Sequence, residues 1–169
     1  MDKNFNFKQP FIVVGGLLEK GGKYLLVKES GGPDKGKWNI PAGILDMGEN
    51  PVEGAAREIR EETGFDFEAT NILGIYAGHK VNGGTYAIKI IVAGEFGEEQ
   101  SELYDDISET KWFSKDEILA MGPETLRTVD IKDMFEDYEA GIRYPLDLIK
   151  KEDYKINGKD YFDKSIKKL

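Results

Sequence analysis

Short apolar segments separated by polar turns cover most of the chain, and a few segments have helical periodicity. The predicted strands are residues 11–18, 23–28, 69–81, 85–96 and 109–113. The first two and the next two flank glycine-containing turns, so each pair is expected to form a hairpin. Ser114 and Glu117 fit a capping box that opens a short helix, and another helix is expected from about Thr128 to Ala140. This mixed order favours an α/β/α layered domain with a mixed sheet.

The helix that follows Asn50 has the clearest predicted boundaries. Asn50 suits the N-cap, Pro51 suits the first helical position, and Gly64 suits the left-handed residue that closes a helix. One face of this helix is apolar, and it consists of Val52, Ala55, Ala56, Ile59 and Thr63. We therefore expect this face to be buried and the glutamates of the helix to lie on another side.

Three glutamates of this helix, Glu58, Glu61 and Glu62, have the spacing i, i+3, i+4 that brings side chains together. Converging carboxylates repel one another unless a cation lies among them. A hard divalent ion such as Mg²⁺ or Mn²⁺ prefers oxygen ligands and would reverse this repulsion. The alternative is an acidic helix face that only contacts water.

The segment from Gly43 to Phe65, GILDMGENPVEGAAREIREETGF, resembles the Nudix box at every defined position of that pattern. These positions are Gly43, Glu49, Arg57, Glu58, Ile59, Glu61, Glu62, Gly64 and Phe65. The resemblance extends to the preceding Trp38–Ala42 and implies a Nudix fold. That fold is an α/β/α sandwich with a curved mixed β-sheet, in which the box forms a loop-helix-loop motif.

The resemblance also implies roles for individual residues. Glu58, Glu61 and Glu62 would bind Mg²⁺, or Mn²⁺, with help from the backbone carbonyl of Ala42 or Gly43. Either Glu61 or Glu62 would instead be the base that orients the attacking water. Arg57 would pair with Glu49 or Glu61. A further carboxylate would come from the loop before a late strand, where position favours Asp106 over Asp105 and Glu109.

The implied reaction is hydrolysis of a phosphate anhydride in a nucleotide. The box region and the segment from Gly141 to Ile149 resemble the NudJ-type phosphatases of the family, which act on nucleoside tri- and diphosphates. ADP-sugars, dinucleoside polyphosphates and oxidised nucleotides are the alternative substrates. Candidate substrate contacts are Arg143 and Tyr144, and Lys28, Lys35 and Lys37 near the site entrance; packing or solvation are the alternative interpretations.

Composition narrows the class of protein. The net charge of −9 argues against general binding to nucleic acids or anionic membranes. No apolar run suggests a membrane span or a signal peptide, so a cytoplasmic enzyme is expected. The absence of cysteine excludes disulfides and thiolate metal sites. We expect a Nudix domain at 1–150 and a lysine-rich C-terminal extension at 151–169. For the oligomeric state, a monomer and a homodimer are both compatible with the sequence.

Two other functions use the same residues. One is a Nudix module that senses a nucleotide without hydrolysing it, which a degenerate box would favour; here the box is intact. The other is a structural calcium site, but the Asp/Asn-rich loop with a central glycine that is typical of such sites is missing. A metal-dependent hydrolase is therefore the favoured prediction.

Overall fold

A computed structural model describes residues 10–79, 86–99 and 106–150, together with the backbone of 155–156 and 159–160. Its strands are β1 Phe11–Leu17, β2 Glu19–Lys20, β3 Lys23–Glu29, β4 Trp38–Asn39, β5 Ala42–Ile44, β6 Phe65–His79, β7 Tyr86–Glu99, β8 Ile107–Ser114, β9 Lys155–Ile156 and β10 Lys159–Asp160. Its helices are α1 Pro51–Thr63, α2 Lys115–Ala120 and α3 Ile131–Glu139, with 3₁₀ turns at Gly32–Asp34 and Leu146–Leu148. None of these helices is long and apolar enough to cross a membrane.

Two sheets form the centre of the fold. The first has the strand order β5-β1-β7-β6, in which β1 and β7 are parallel and the other neighbours are antiparallel. In the second sheet, β3 pairs antiparallel with β2, β4 and β8. The predicted hairpin of β6 and β7 is confirmed, although its turn lies outside the described residues.

The predicted first hairpin is wrong in part. Within the predicted hairpin, it is the short strand β2 that pairs with β3, whereas β1 pairs with β5 and β7 in the other sheet. Both strands carry buried residues at consecutive positions, 14–17 in β1 and 24–27 in β3. Strands that are buried on both faces lack the alternation that identifies a hairpin partner, so the sequence does not show this change of sheet.

Two hydrophobic clusters lie on opposite faces of the sheets. The cluster on the side of α1 contains Val14, Leu18, Leu25, Ala55, Ile59, Phe67, Ile72, Ile90 and Val92. The other cluster packs against α2 and α3 and includes Leu17, Leu26, Leu73, Ile91, Phe113, Ile118, Ile131, Met134 and Phe135. Adjacent residues such as Leu25 and Leu26 of β3 contribute to different clusters, because successive side chains of a strand point to opposite faces. The predicted α/β/α sandwich with a mixed sheet is confirmed.

Helix α1 has the predicted boundaries. The Asn50 side chain accepts a hydrogen bond from the Val52 amide at 2.9 Å, and Gly64 closes the helix with a positive φ of 74°. The predicted apolar face packs inward, since Ala55 and Ile59 are fully buried. The helix therefore has a fixed start, a fixed end and a fixed rotation about its axis.

The outer edge of β6 is covered at one point by the segment after α3. The Ile72 amide donates to the Tyr144 carbonyl at 2.9 Å, and the Tyr144 amide donates to the Ile72 carbonyl at 2.8 Å. Helix α3 itself is shorter than predicted, but Gly141 does follow its end with a φ of +75°. The extension predicted at 151–169 lies largely outside the described residues, so that boundary stays a prediction.

The close approach of β1 to β5 generates a prediction. A side chain at Gly15 would overlap the Ala42 Cβ and the Pro41 carbonyl, and would lie only 2.8 Å from the Ala42 Cα. We expect Gly15→Ala to lower the free energy of unfolding in urea by about 1–3 kcal/mol. Gly31→Ala is the control, because a Cβ there meets nothing within 4 Å and should leave stability almost unchanged. Equal stability of the two variants would contradict this packing.

Candidate active site

A cavity of about 600 Å³ opens beside the N-terminal end of α3 and extends to the glutamates of α1. Its lining comes from strand β1 and strands β3 to β7, from α1, from Asp106, and from residues 127–131 and Met134. Five carboxylates line it, namely Glu29, Glu58, Glu62, Asp106 and Asp130, against two basic side chains, Lys89 and Arg127. The described lining is therefore formally negative, and a phosphate group would be repelled without an added cation.

Arg57 organises the carboxylates of the Nudix-like segment. Its Nε and Nη2 donate to the two carboxylate oxygens of Glu49 at 2.9 and 3.0 Å. Its Nη1 donates to Glu58 at 2.6 Å and to Glu61 at 3.3 Å. Arg57 was predicted to pair with Glu49 or Glu61; it contacts both residues, and it also contacts Glu58. Because Arg57 donates to it, the pKa of Glu49 is lowered.

Glu62 differs from the other two glutamates because it is buried, with 7% of its surface exposed. Its Oε2 accepts a hydrogen bond from the Ala42 amide at 2.8 Å. Burial, together with the nearby negative charges of Glu29, Glu58 and Asp106, raises the pKa of Glu62 to about 9 despite that hydrogen bond. The helical wheel placed all three glutamates on a side away from the core, and it did not show that β5 covers Glu62.

The candidate ligand atoms are of the kind that a hard divalent cation prefers. All candidate ligands are oxygen atoms, and Glu62 is a buried carboxylate that hydrogen-bonds to an amide and not to a basic side chain. Burial raises the pKa of Glu58 too, although Arg57 opposes this. Within the described residues, no three such side chains already converge on one point. Binding a metal through Glu58, Glu61 and Glu62 therefore requires their side chains to move closer together.

Gly43 allows the close contact between β5 and α1. A Cβ at this position would overlap the Glu58 carboxylate. The glycine at the start of the box thus leaves room for a glutamate side chain beside the backbone of β5. This agrees with the expectation that Gly43 belongs to the site, whereas Glu49 and Gly64 support it through Arg57 and through the end of α1.

Asp106 lines the same cavity and has an exposed side chain, and its backbone carbonyl accepts from the Ser30 amide at 2.8 Å. Of the two alternatives weighed against it, Glu109 instead pairs with Lys28 at 3.2 Å. Asp105 lies outside the described residues. The placement favours Asp106 as the additional carboxylate, and its role stays a prediction.

The structure does not bring the other predicted substrate contacts to the described lining of the cavity. Lys28 lies over the Trp38 ring, 5.2 Å from its centroid, and Lys37 lies 3.9 Å from Asp34. Arg143 stacks on the Tyr138 ring and donates to the backbone carbonyls of Tyr138 and Ile142. Tyr144 covers the edge of β6. The alternative interpretation, packing at the end of a helix, describes Arg143 better than contact with substrate does. Tyr144 is 47% exposed, so its predicted place in the core is wrong.

The structure places six polar residues in the cavity that were not among the candidates from the sequence: Glu29, Asn39, Lys89, Arg127, Thr128 and Asp130. Glu29 follows a β-bulge at the end of β3, a distortion that redirects a side chain and has no sequence signature here. Asn39 lies in the Trp38–Ala42 segment, whose resemblance to the family was a usable signal. Lys89 stands out as the one charged residue within the apolar run 87–94 of β7.

Comparison with known proteins agrees with this geometry. The family model of the NUDIX domain matches residues 9–135. The chain is 32% identical over 145 residues to the phosphatase NudJ of Escherichia coli K12, covering 83% of this chain and 91% of that protein. It is 31% identical over 107 residues to the ADP-ribose pyrophosphatase of Methanocaldococcus jannaschii, and this alignment spans 63% of each protein. A solved NUDIX hydrolase from Nitrosomonas europaea has a TM-score of 0.79 and 35% identity, covering 85% of this chain and 98% of that one.

The burial of Glu62 generates a prediction about the metal-free protein. Gln at this position keeps an acceptor for the Ala42 amide and removes a carboxyl group that must take up a proton when the metal-free protein folds at pH 7. We expect Glu62→Gln, in a chelator at pH 7, to raise the free energy of unfolding by about 1–3 kcal/mol. Glu136→Gln, an exposed change on α3, is the control and should have little effect. A destabilised Glu62→Gln protein would contradict the raised pKa of Glu62.

Proposed function

This chain belongs to the Nudix hydrolase family, and we propose that it cleaves a phosphate anhydride bond in nucleoside tri- or diphosphates with the help of Mg²⁺. The observation that carries the proposal is the buried Glu62 carboxylate, which faces Glu58, Glu29 and Asp106 in one cavity. A carboxylate cluster of this kind needs a cation, and a phosphate chain needs one too before it can enter a negative cavity. One ion bound between them meets both needs.

A second substrate class has specific support. The two named relatives act on different substrates, since one is a phosphatase and the other is an ADP-ribose pyrophosphatase. NudJ aligns with more of this chain, 83% against 63%, and this favours nucleoside tri- and diphosphates. Nucleoside diphosphate sugars are therefore the alternative. Both classes present a phosphate anhydride to the same carboxylates.

Nudix hydrolases generally use divalent metal ions, and Glu58, Glu61 and Glu62 are the residues proposed to hold Mg²⁺ here, with Mn²⁺ as a substitute. When bound, such an ion neutralises phosphate oxygens and lowers the pKa of a water molecule. Arg57 holds Glu49, Glu58 and Glu61 in fixed positions until the ion arrives. The Ala42 amide orients Glu62 through its hydrogen bond to Oε2.

The base that takes a proton from the attacking water is Glu61 or Glu62. Glu61 has a side chain that is 32% exposed, so water reaches it directly. Glu62 lines the cavity together with Glu29, Glu58 and Asp106. A residue that acts only as the base should be dispensable for metal binding, whereas a ligand should not. Metal affinity and turnover, measured separately, distinguish the two roles.

We expect Glu61→Gln and Glu62→Gln both to abolish measurable metal-dependent hydrolysis. Loss of the base should lower kcat by at least about 100-fold while the metal affinity is kept. Loss of a residue that only supports a metal ligand typically weakens metal binding at least about tenfold. Loss of a ligand itself should weaken it by at least as much. Calorimetric Mg²⁺ or Mn²⁺ titration and steady-state kinetics give the two numbers, with Glu136→Gln as control. Full turnover in both variants would contradict the assignment.

The substrate class is tested by product analysis. The protein is incubated with Mg²⁺ and a panel of nucleoside tri- and diphosphates, nucleotide sugars and dinucleoside polyphosphates, and orthophosphate and pyrophosphate are quantified separately. We expect orthophosphate from both triphosphates and diphosphates, and no product in the presence of excess chelator. Activity confined to nucleotide sugars would support the alternative class. Binding of nucleotides without any hydrolysis would indicate a sensing module instead.

A further inference from the structure

A salt bridge between Arg127 and Glu29 lies in the lining of the cavity that also contains the carboxylates of α1. We propose that this salt bridge opens when the divalent ion binds, so that Glu29 turns toward the ion and the released Arg127 binds a phosphate group of the substrate. The inference rests on the proposed function for the identity of the ion and of the substrate. It adds a phosphate-binding residue and couples the binding of the two ligands.

Glu29 interacts both with Arg127 and with the carboxylates of the candidate metal site. Its Oε1 accepts a hydrogen bond from Arg127 Nη1 at 2.6 Å, and its side chain is only 14% exposed. Among the nearby negative charges, Glu29 does most to raise the pKa of Glu62, ahead of Glu58 and Asp106. A cation that binds beside these carboxylates therefore competes with Arg127 for Glu29.

The relative strengths of the two attractions favour the ion. A salt bridge at a partly exposed position contributes little to stability, because water competes for both charges and the side chains lose entropy. A bound divalent cation is often the largest local charge in a site and takes carboxylate oxygens as ligands. In the ion-free protein, the Arg127 charge instead offsets the repulsion between Glu29 and the other carboxylates of the cavity.

Arg127 has contacts that keep it at the cavity after Glu29 turns away. Its Nε lies 3.3 Å from Asp34, which is outside the described lining of the cavity. Its backbone amide donates to the Trp38 carbonyl at 2.9 Å. A guanidinium has five donors in a planar fork, and two neighbouring donors match two oxygens of one phosphate group. Loss of the Glu29 contact therefore leaves a positioned phosphate donor.

Lys89, the other basic group in the described lining, is held more firmly. Its Nζ donates to the two carboxylate oxygens of Asp130 at 2.8 and 2.6 Å and to the Thr128 hydroxyl at 3.1 Å. An ammonium group has three donors, so these contacts use all of them. Arg127 donates to only one oxygen of Glu29. The salt bridge between Arg127 and Glu29 is therefore the one that opens more easily.

A purely structural role for Arg127 would be to hold the loop 30–37 in place. Backbone hydrogen bonds already hold both ends of this loop. The Glu29 amide donates to the Lys37 carbonyl at 3.0 Å, and the Gly36 amide donates to the Glu29 carbonyl at 2.8 Å. The Glu29 side chain can thus turn while its backbone stays fixed. A structural role also gives no reason for ion binding to become tighter when Arg127 is removed.

The first test titrates inorganic pyrophosphate into the metal-free protein, in a chelator, and follows binding by NMR. Glu29→Gln frees Arg127 without any ion, so we expect the pyrophosphate Kd to fall about tenfold, the gain of about one hydrogen bond between charged groups. Asp106→Asn removes the same charge from the same cavity but releases no basic side chain of the described lining, and should lower this Kd less than about threefold. The gain should disappear in the double variant Glu29→Gln/Arg127→Gln.

The second test titrates Mg²⁺ into the protein without substrate and measures binding by calorimetry. Arg127→Gln leaves Glu29 without its basic partner, so we expect the Mg²⁺ Kd to fall at least about threefold, whereas Glu29→Gln should raise it by a similar factor. Arg127→Lys is the matched control, because it keeps a positive charge beside Glu29. Its Mg²⁺ Kd should stay within about twofold of the wild type.

The outcomes separate this inference from the proposed function. Equal changes of the pyrophosphate Kd in Glu29→Gln and Asp106→Asn would overturn the inference and leave the hydrolase intact. Unchanged or weaker Mg²⁺ binding by Arg127→Gln, with normal thermal unfolding, would overturn it as well. If Arg127→Gln does not fold, the comparison of Glu29→Gln with Asp106→Asn still decides. The expected Kd changes, together with no hydrolysis of any nucleotide by the wild type, would support the inference and overturn the proposed function alone.

Discussion

The arrangement of the candidate site depends on one guanidinium group. Arg57 joins the loop that precedes α1 to the helix itself, because it binds Glu49 in two places and also contacts Glu58 and Glu61. Each of these contacts is individually modest at a partly exposed site. Together they fix three like charges close to one another in a helix that would otherwise be destabilised by them. The rest of the site, including Gly43 and the hydrogen bond from Ala42 to Glu62, is built around this cluster.

Opposite charges also organise the far end of the cavity. Lys89 is paired with Asp130, and Arg127 is paired with Glu29 and Asp34. Two basic residues that line a cavity would ordinarily suggest phosphate binding, but here the carboxylates beside them already neutralise their positive charges. Positive charge for a phosphate must then come mainly from a bound ion. Because of this pairing, the cavity has one end with carboxylates that lack a basic partner among the described residues and another end where the charged side chains are paired.

Much of the fold could be predicted from local patterns, and the rest could not, for physical reasons. Helix α1 was predictable because Asn50, Pro51 and Gly64 mark its ends. The sheet assignment of β1 was not, because a strand buried on both faces has no alternation. In the site, the box identified Arg57 and the glutamates of α1. Glu29 and Asp130 were not identified, because they reach the cavity through a β-bulge and through a contact between residues 41 positions apart.

The Tyr144 contact with β6 has a consequence for the behaviour of the protein at high concentration. In the described part of the first sheet, β6 is the edge strand, and the amide and carbonyl of Ile72 would be open to a strand from another molecule. The Tyr144 backbone occupies both groups. Unprotected edges are templates for intermolecular strand pairing and aggregation. A truncation that removed the segment after α3 would thus expose the Ile72 amide and carbonyl to pairing with a strand of another molecule. The carboxylates of the site would stay in place.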